Sequence, residues 1–416
     1  GNYDVVLSVS GCSNLTSSTA VLTVNALPTQ YNVTGGGTGC STAGVAVGLS
    51  NSQTGVSYQL YRAGVATGSP VAGTGAAISF GNQFTSGNYT VIGTNTTTGC
   101  TRTQNGSVNV TINTAPSISV QPVSQVVCAG TSVTFSVTGS GTSVTYQWRK
   151  NGSNIGGATS SSYTISNPAA GDAGNYDVVL SVSSCSSLTS STATLTVNAL
   201  PSANNMTGSG TACSTAGQVV GLNGSQTGVN YQLYIGGVAT GSPVSGTGSA
   251  LSFGAQFVSG TYTAIATNAT TGCVRNQNAQ ANVTINTAPS ISVQPVSQTK
   301  CLGSSVTFSV TASGTSVTYQ WRKNGTNIAG ATSSSYTIAS IVAGDVANYD
   351  VVLSVASCSN LTSSVATLSL TSAPTAYNVT GGGSYCNGDA GVVVGLSGSQ
   401  SGVNYTLSPG GTVVAG

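Results

Sequence analysis

Histidine and glutamate are absent from this sequence, and only 3% of its residues are charged. General acid–base chemistry needs a histidine or two placed carboxylates. The six acidic residues are all aspartates, Asp4, Asp172, Asp177, Asp345, Asp350 and Asp389, and they fall singly at turns or at strand starts. A structural role is therefore expected for each, and no enzyme. Calcium would require oxygens clustered as in Asp-x-Asp-x-Asp-Gly, which never occurs. Zinc has neither histidine nor two cysteines within four residues of each other. No metal or other cofactor is expected. A net charge of +2 spread over eight Lys and Arg leaves no basic face for nucleic acid and no cluster for anionic lipid. No run of 18 apolar residues exists and no charged-then-apolar segment opens the chain, so no membrane span is expected in this segment and any export signal is expected upstream. The glycine-rich "TGGGTGC" at 34 has no lysine and no following helix, so it reads as a turn, not a phosphate loop.

What the chain does have is 56 glycines and 39% hydrophobic residues in strand-like alternation, which argues for packed β-structure over disorder. The ten cysteines carry a period: Cys12, Cys40, Cys100, Cys128, Cys185 and Cys213 each recur 173 positions later, as Cys185, Cys213, Cys273, Cys301, Cys358 and Cys386 (for the first pair, 185 − 12). "APSISVQPVSQ" stands unchanged at 115 and 288, and "NYDVVLSV" at 2, 175 and 348. Each period splits at proline-containing junctions, "NALPS" near 200 and "NTAPS" near 288, where proline can open an edge strand. The expected modules are 1–26 (partial), 27–114, 115–198, 199–287, 288–372 and 373–416 (partial). Such ends read as a window on a longer array.

In the 115–198 module, "TSVTFSVTG", "SVTYQWRKNG", "SSYTIS", "NYDVVLSVS" and "TATLTVN" alternate apolar and polar residues between Gly, Ser and Asn turns, the all-β pattern. Val144, Tyr146 and Trp148 share one strand face, with Gln147 and Arg149 on the other. Trp148 reads as a strand C core tryptophan, and Trp321 is its counterpart. Asp172, Gly174 and Tyr176 follow the Asp-x-Gly-x-Tyr pattern that opens strand F, with Tyr176 as a tyrosine corner. On these residues the module resembles the immunoglobulin-like repeats of very large cell-surface adhesin or extracellular fibre proteins of Bacteroidota. In the 199–287 module "VNYQLYIGG" lies over "VTYQWRKNG", with Leu233 in place of the tryptophan. It reads as a divergent sandwich of the same kind, similar to glycine-rich repeats that accompany such domains. The expected fold is all-β: a linear array of alternating immunoglobulin-like β-sandwich modules of two types with a 173-residue super-repeat. Interleaving dissimilar sandwiches keeps like sequences apart and lowers the hazard of strand exchange during folding.

The usual inter-sheet disulfide is missing, because its two positions are Val137 and Val178. Cys128 lies nine residues before Val137, at the start of strand B, and Cys185 seven after Val178, at the F–G turn. Strands B and F run the same way, so these two cysteines belong at opposite ends of the module, about 40 Å apart. A disulfide needs Cα atoms within about 7 Å. Stacking resolves this by pairing each cysteine with the neighbouring module: Cys40 with Cys185, Cys128 with Cys273, and Cys213 with Cys358. Cys12, Cys100, Cys301 and Cys386 then pair outside this segment. The alternative is a bridge inside each module, Cys128 with Cys185 and Cys213 with Cys273. Either arrangement indicates an exported protein, extracellular or at the cell surface.

Asn-x-Ser/Thr occurs fifteen times. A surface almost without charge lacks the usual guard against association, and attached sugars would supply bulk and hydration. Covalent glycans are expected at triplets in turns, with Asn95, Asn151, Asn268 and Asn324 the candidates. Tyr61 and Tyr234 alternate with inward Leu60 and Leu233 and are candidate surface contacts for polysaccharide or protein. The function expected is a structural shaft whose partners are further copies of the same repeat along a fibre. The alternative is an array of glycan-binding modules.

Overall fold

A computed structural model describes residues 1–408. Residues 409–416, the end of the expected partial module 373–416, lie outside the described residues. The chain divides into two compact units, Gly1–Leu200 and Pro201–Gly416. Among the described residues the only helical elements are the 3-10 turns Ala170–Asp172 and Ala343–Asp345, and all other regular structure is strand. The protein is an all-β tandem of immunoglobulin-like sandwiches.

In the first unit, one sandwich spans Val33 to Asn113. Its larger sheet has the order A′ (Gly37–Cys40), G (Val108–Asn113), F (Gly87–Asn95), C (Val56–Arg62) and C′ (Val65–Ala72). The A′–G pair is parallel and the others antiparallel. The smaller sheet is A (Val33–Gly35), B (Val45–Leu49) and E (Ile78–Gln83). Strict alternation along strand C turns Val56, Tyr58 and Leu60 inward, and along F it turns in Tyr89, Val91 and Gly93. These residues pack against Val47, Leu49 and Ile78 of the other sheet. The second sandwich, Ser117 to Asn198, repeats the plan with A′ (Gln125–Cys128), G (Ala193–Asn198), F (Gly174–Ser181), C (Thr145–Lys150) and a two-residue C′ (Ser153–Asn154). Its core is aromatic: Phe135 stacks on Tyr176 at 4.8 Å, and Trp148, fully buried, lies 6.1 Å from Phe135. The indole N–H donates to the Ser160 carbonyl at 3.0 Å, so this core carries no unpaired polar edge at its largest residue.

The second unit holds the same two plans, from Met206 to Asn286 and from Ser290 to Leu370, with A′ again parallel to G in both. One device unites the two module types. The strand F tyrosine donates its hydroxyl to the carbonyl four residues upstream in all four sandwiches: Tyr89 to Thr85, Tyr176 to Asp172, Tyr262 to Val258 and Tyr349 to Asp345, at 2.7–2.8 Å. The sandwiches that lack a core tryptophan keep this corner.

Two sequence readings are corrected. The "TGGGTGC" segment is not a turn but two strands, A and A′, joined by a kink at Gly36 that carries the chain from the smaller sheet to the larger. Gly35, Gly36 and Gly37 have φ of 90°, 80° and 110°, and a Cβ on Gly35 would stand 2.1 Å from the Ala46 carbonyl oxygen. Only glycine fits there. For the same reason Cys128 does not open strand B, which begins at Val133. It closes A′, as Cys40 does in the preceding sandwich.

Residues 1–24 form two short hairpin pairings, Asn2–Tyr3 with Ala20–Val21 and Val6–Leu7 with Leu15–Thr16. Among the described residues no opposing sheet covers them, so Tyr3, Val5, Leu7 and Val9 are exposed where Tyr176, Val178, Leu180 and Val182 are buried.

Candidate functional site

The parallel A′–G pairing brings two strand ends side by side at one end of the first sandwich, Cys40 and Asn113. Asn113 is followed by three linking residues, Thr114, Ala115 and Pro116, before the next sandwich begins at Ser117. A set of polar contacts closes around it. The Asn113 carbonyl accepts from the Ser41 N–H at 2.8 Å, and the Asn113 side-chain amide donates to the Ser183 carbonyl in the F–G turn of the second sandwich at 2.9 Å. Ala115 N–H donates to the Ser41 hydroxyl at 3.0 Å. Thr114 and Thr142 bond reciprocally: Thr114 N–H to the Thr142 hydroxyl at 2.8 Å, and Thr142 N–H to the Thr114 carbonyl at 3.2 Å. Gly141, at φ 146°, lets Pro116 and Val182 approach, since a Cβ there would lie 2.9 Å from the Val182 side chain.

Across the same junction runs a disulfide. Cys40, 2% exposed at the end of A′, is bonded to Cys185 in the F–G turn, with Cα atoms 4.9 Å apart. The turn is set by Ser184 at φ 62° and by the Cys185 N–H donating to the Val182 carbonyl. Sγ of Cys185 lies 3.6 Å from the Asn113 carbonyl oxygen, so bridge and clasp are one cluster.

The second unit contains the same cluster. Cys213 is bonded to Cys358 with Cα atoms again 4.9 Å apart, and both bridges span 145 residues. The Asn286 amide donates to the Ala356 carbonyl, Ser214 N–H to the Asn286 carbonyl, Ala288 N–H to the Ser214 hydroxyl, and Thr287 pairs with Thr315. Position 183 is serine and its counterpart 356 alanine, a change without consequence because the carbonyl is what accepts. Cys128 and Cys273 are also disulfide-bonded. Among the described residues Cys12, Cys301 and Cys386 are exposed free thiols, and Cys100 is a half-buried one.

Sequence reasoning missed the clasp. Its members are ordinary Asn, Ser and Thr in a chain full of them, and their one signal is adjacency to Cys40 and to the Pro-containing junction. It also missed an ion pair on the outer face of each tryptophan-bearing sandwich. Arg149 grips Asp177 with two hydrogen bonds, 2.7 and 2.9 Å, and Arg322 grips Asp350 likewise. Strand register sets both, Arg149 standing opposite Asp177. The hydrogen bond to Asp177 raises the Arg149 pKa above its ordinary value. Burial, then Tyr163 and Asp172, push the Tyr176 hydroxyl up to about 12.

The remaining candidates stay apart from the joint. Tyr61 and Tyr234 are half-buried on the outer face of the larger sheet, standing opposite Thr90 and Thr263. Asn95 and Asn268 are half-buried at the ends of strand F, where each side-chain oxygen accepts two turn N–H groups. Asn151 and Asn324 are exposed in the C–C′ turn at φ 49° and 50°, accepting from Asn175 and Asn348 N–H. Among the described residues no cluster of three metal-ligating side chains occurs, and no helix is long and apolar enough to cross a membrane.

The immunoglobulin-domain family model matches residues 115–181. No curated protein matches the chain. Among solved structures, a three-domain I-band fragment of titin is 18% identical over 62% of this chain and 99% of its own, with a TM-score of 0.44. The eight N-terminal immunoglobulin domains of the Down syndrome cell adhesion molecule are 15% identical, covering 86% of this chain and 51% of that one, TM-score 0.44. Drosophila OTK extracellular domains 3–5 are 16% identical, covering 62% and 97%, TM-score 0.29.

Proposed function

We propose that the chain is a structural shaft: a tandem array whose sandwiches are fixed end to end so that it spans distance under tension, as part of an exported bacterial surface adhesin or extracellular fibre. One observation carries this reading. The same joint, a disulfide with a five-bond polar clasp around a three-residue linker, occurs at Cys40–Cys185 and again at Cys213–Cys358. A binding module needs its loops free. Here the F–G turn, a loop end that such sandwiches can use for recognition, is committed to the neighbouring sandwich. Cys128 and Cys273, both disulfide-bonded, form the equivalent pair in this reading, since they too are 145 residues apart (273 − 128). Non-reducing peptide mapping is the test: linked peptides holding Cys128 and Cys273 support it, and peptides linking Cys128 to Cys185 overturn it.

The near-absence of charge makes such a shaft insensitive to salt. Glycans at Asn151 and Asn324, in exposed turns, would provide the hydration that charge does not. Intact-mass measurement on native material decides that point, the bare polypeptide mass removing it. Further copies of the repeat along the fibre are the expected partners, with modules of about 35 to 40 Å giving a repeat of about 70–80 Å in electron micrographs. The second reading, glycan recognition through Tyr61 and Tyr234, is tested on a glycan array. Binding abolished by Tyr61→Ala and Tyr234→Ala would favour it.

A further inference from the structure

The disulfides change which part of the chain tension can reach. A loop closed by a covalent bond contributes nothing to extension, so a pulled chain follows its shortest covalent route. Cys40 is joined to Cys185 and Cys213 to Cys358, while Cys185 and Cys213 are only 28 residues apart in sequence (213 − 185). The same 28 residues separate Cys12 from Cys40 and Cys358 from Cys386 (40 − 12 and 386 − 358). A route from Cys12 to Cys386 therefore walks three such stretches and crosses two bridges, leaving residues 41–184 and 214–357 as side loops.

We propose that this route is a built-in cable: tension enters each sandwich only through its G strand or its A and A′ strands, and no full module can lengthen the chain even if it unfolds. The proposal deepens the structural reading and rests on it only for there being tension to carry. Three features favour it. Between Cys185 and Cys213 the route runs through strand G (Ala193–Asn198), then Met206–Thr207 and A′ (Gly210–Cys213), segments already in strand conformation. At about 3.3 Å per residue these have little length left to give. Strands G and A′ are each zipped in parallel to a neighbour within their own sandwich, G to Gln125–Cys128 and A′ to Ala281–Asn286. Those neighbours belong to the complementary stretches, Cys100 to Cys128 and Cys273 to Cys301, which are again 28 residues each (128 − 100 and 301 − 273). With the Cys128–Cys273 pairing proposed above, they make a second cable beside the first.

Single-molecule pulling of the full chain by its two termini tests this. With bridges intact the route covers about 125 residues and stops at a contour near 43 nm, without a sawtooth of module unfolding. With bridges reduced, about 415 residues are released and the contour rises roughly threefold, to about 140 nm. The double variant Cys40→Ser, Cys185→Ser lengthens the oxidised chain to between about 80 and 95 nm. A contour of about 100 nm in the oxidised wild type, as bridges within each module would give, overturns the proposal. So does an oxidised contour of about 140 nm, or a double variant unchanged from wild type. Failure of the shaft reading is separable, because slack joints in solution would remove rigidity and leave the 43 nm limit in place.

Discussion

At the scale of single residues, stability is concentrated in a few satisfied polar groups inside apolar cores. The Tyr176 hydroxyl is the clearest, since its ring is stacked on Phe135 and its O–H is committed to the Asp172 carbonyl. Tyr176→Phe removes that hydrogen bond while keeping the ring. It should cost its sandwich about 1 kcal/mol, read by hydrogen exchange of the F strand. The same residue gives a pH dependence. Its folded pKa is raised to about 12 from an ordinary 10, chiefly by burial. The unfolded chain therefore loses that proton first as pH rises. Stability is intact below pH 10 and falls between about pH 10 and 12, and Tyr349 behaves alike. Alkaline titration followed by near-ultraviolet circular dichroism checks this, with unfolding that begins well below pH 10 as the contrary result. Asp177→Asn weakens the grip of Arg149 on the outer face, where the carboxylate is 16% exposed. Partial exposure limits the cost to about 1 kcal/mol, measured by the same exchange experiment.

Among the elements, A and A′ do most to build the joint, because their kink carries Cys40 from one sheet to the end of the other. Gly35→Ala places a methyl 2.1 Å from the Ala46 carbonyl oxygen at φ 90°, a backbone clash that no rotamer change relieves. The expected cost is about 2 kcal/mol or more. It should show as lost exchange protection across Gly37–Cys40 and slower closure of the Cys40–Cys185 bridge on reoxidation. Strand positions were readable from alternation alone, as in "VTYQWRK" with Trp148 inward and Arg149 outward. The A′ strand of the first sandwich was not, because four glycine-rich residues carry no periodicity, and only pairing with strand G makes a strand of Gly37–Cys40.

For the whole molecule, the cysteine period was open to view, but the clasp that accompanies each bridge was hidden among common polar residues. Asn113, Ser41 and Thr142 become significant only when the linker between sandwiches is seen to be just Thr114, Ala115 and Pro116. The account's central claim is that these joints hold successive sandwiches without slack. Small-angle X-ray scattering of the oxidised chain in solution tests it most directly. The account predicts a distance distribution with a sharp maximum at about 35–40 Å, the spacing of the two sandwiches across each bridged joint. A broad distribution without that maximum, as sandwiches turning about free joints give, would contradict it.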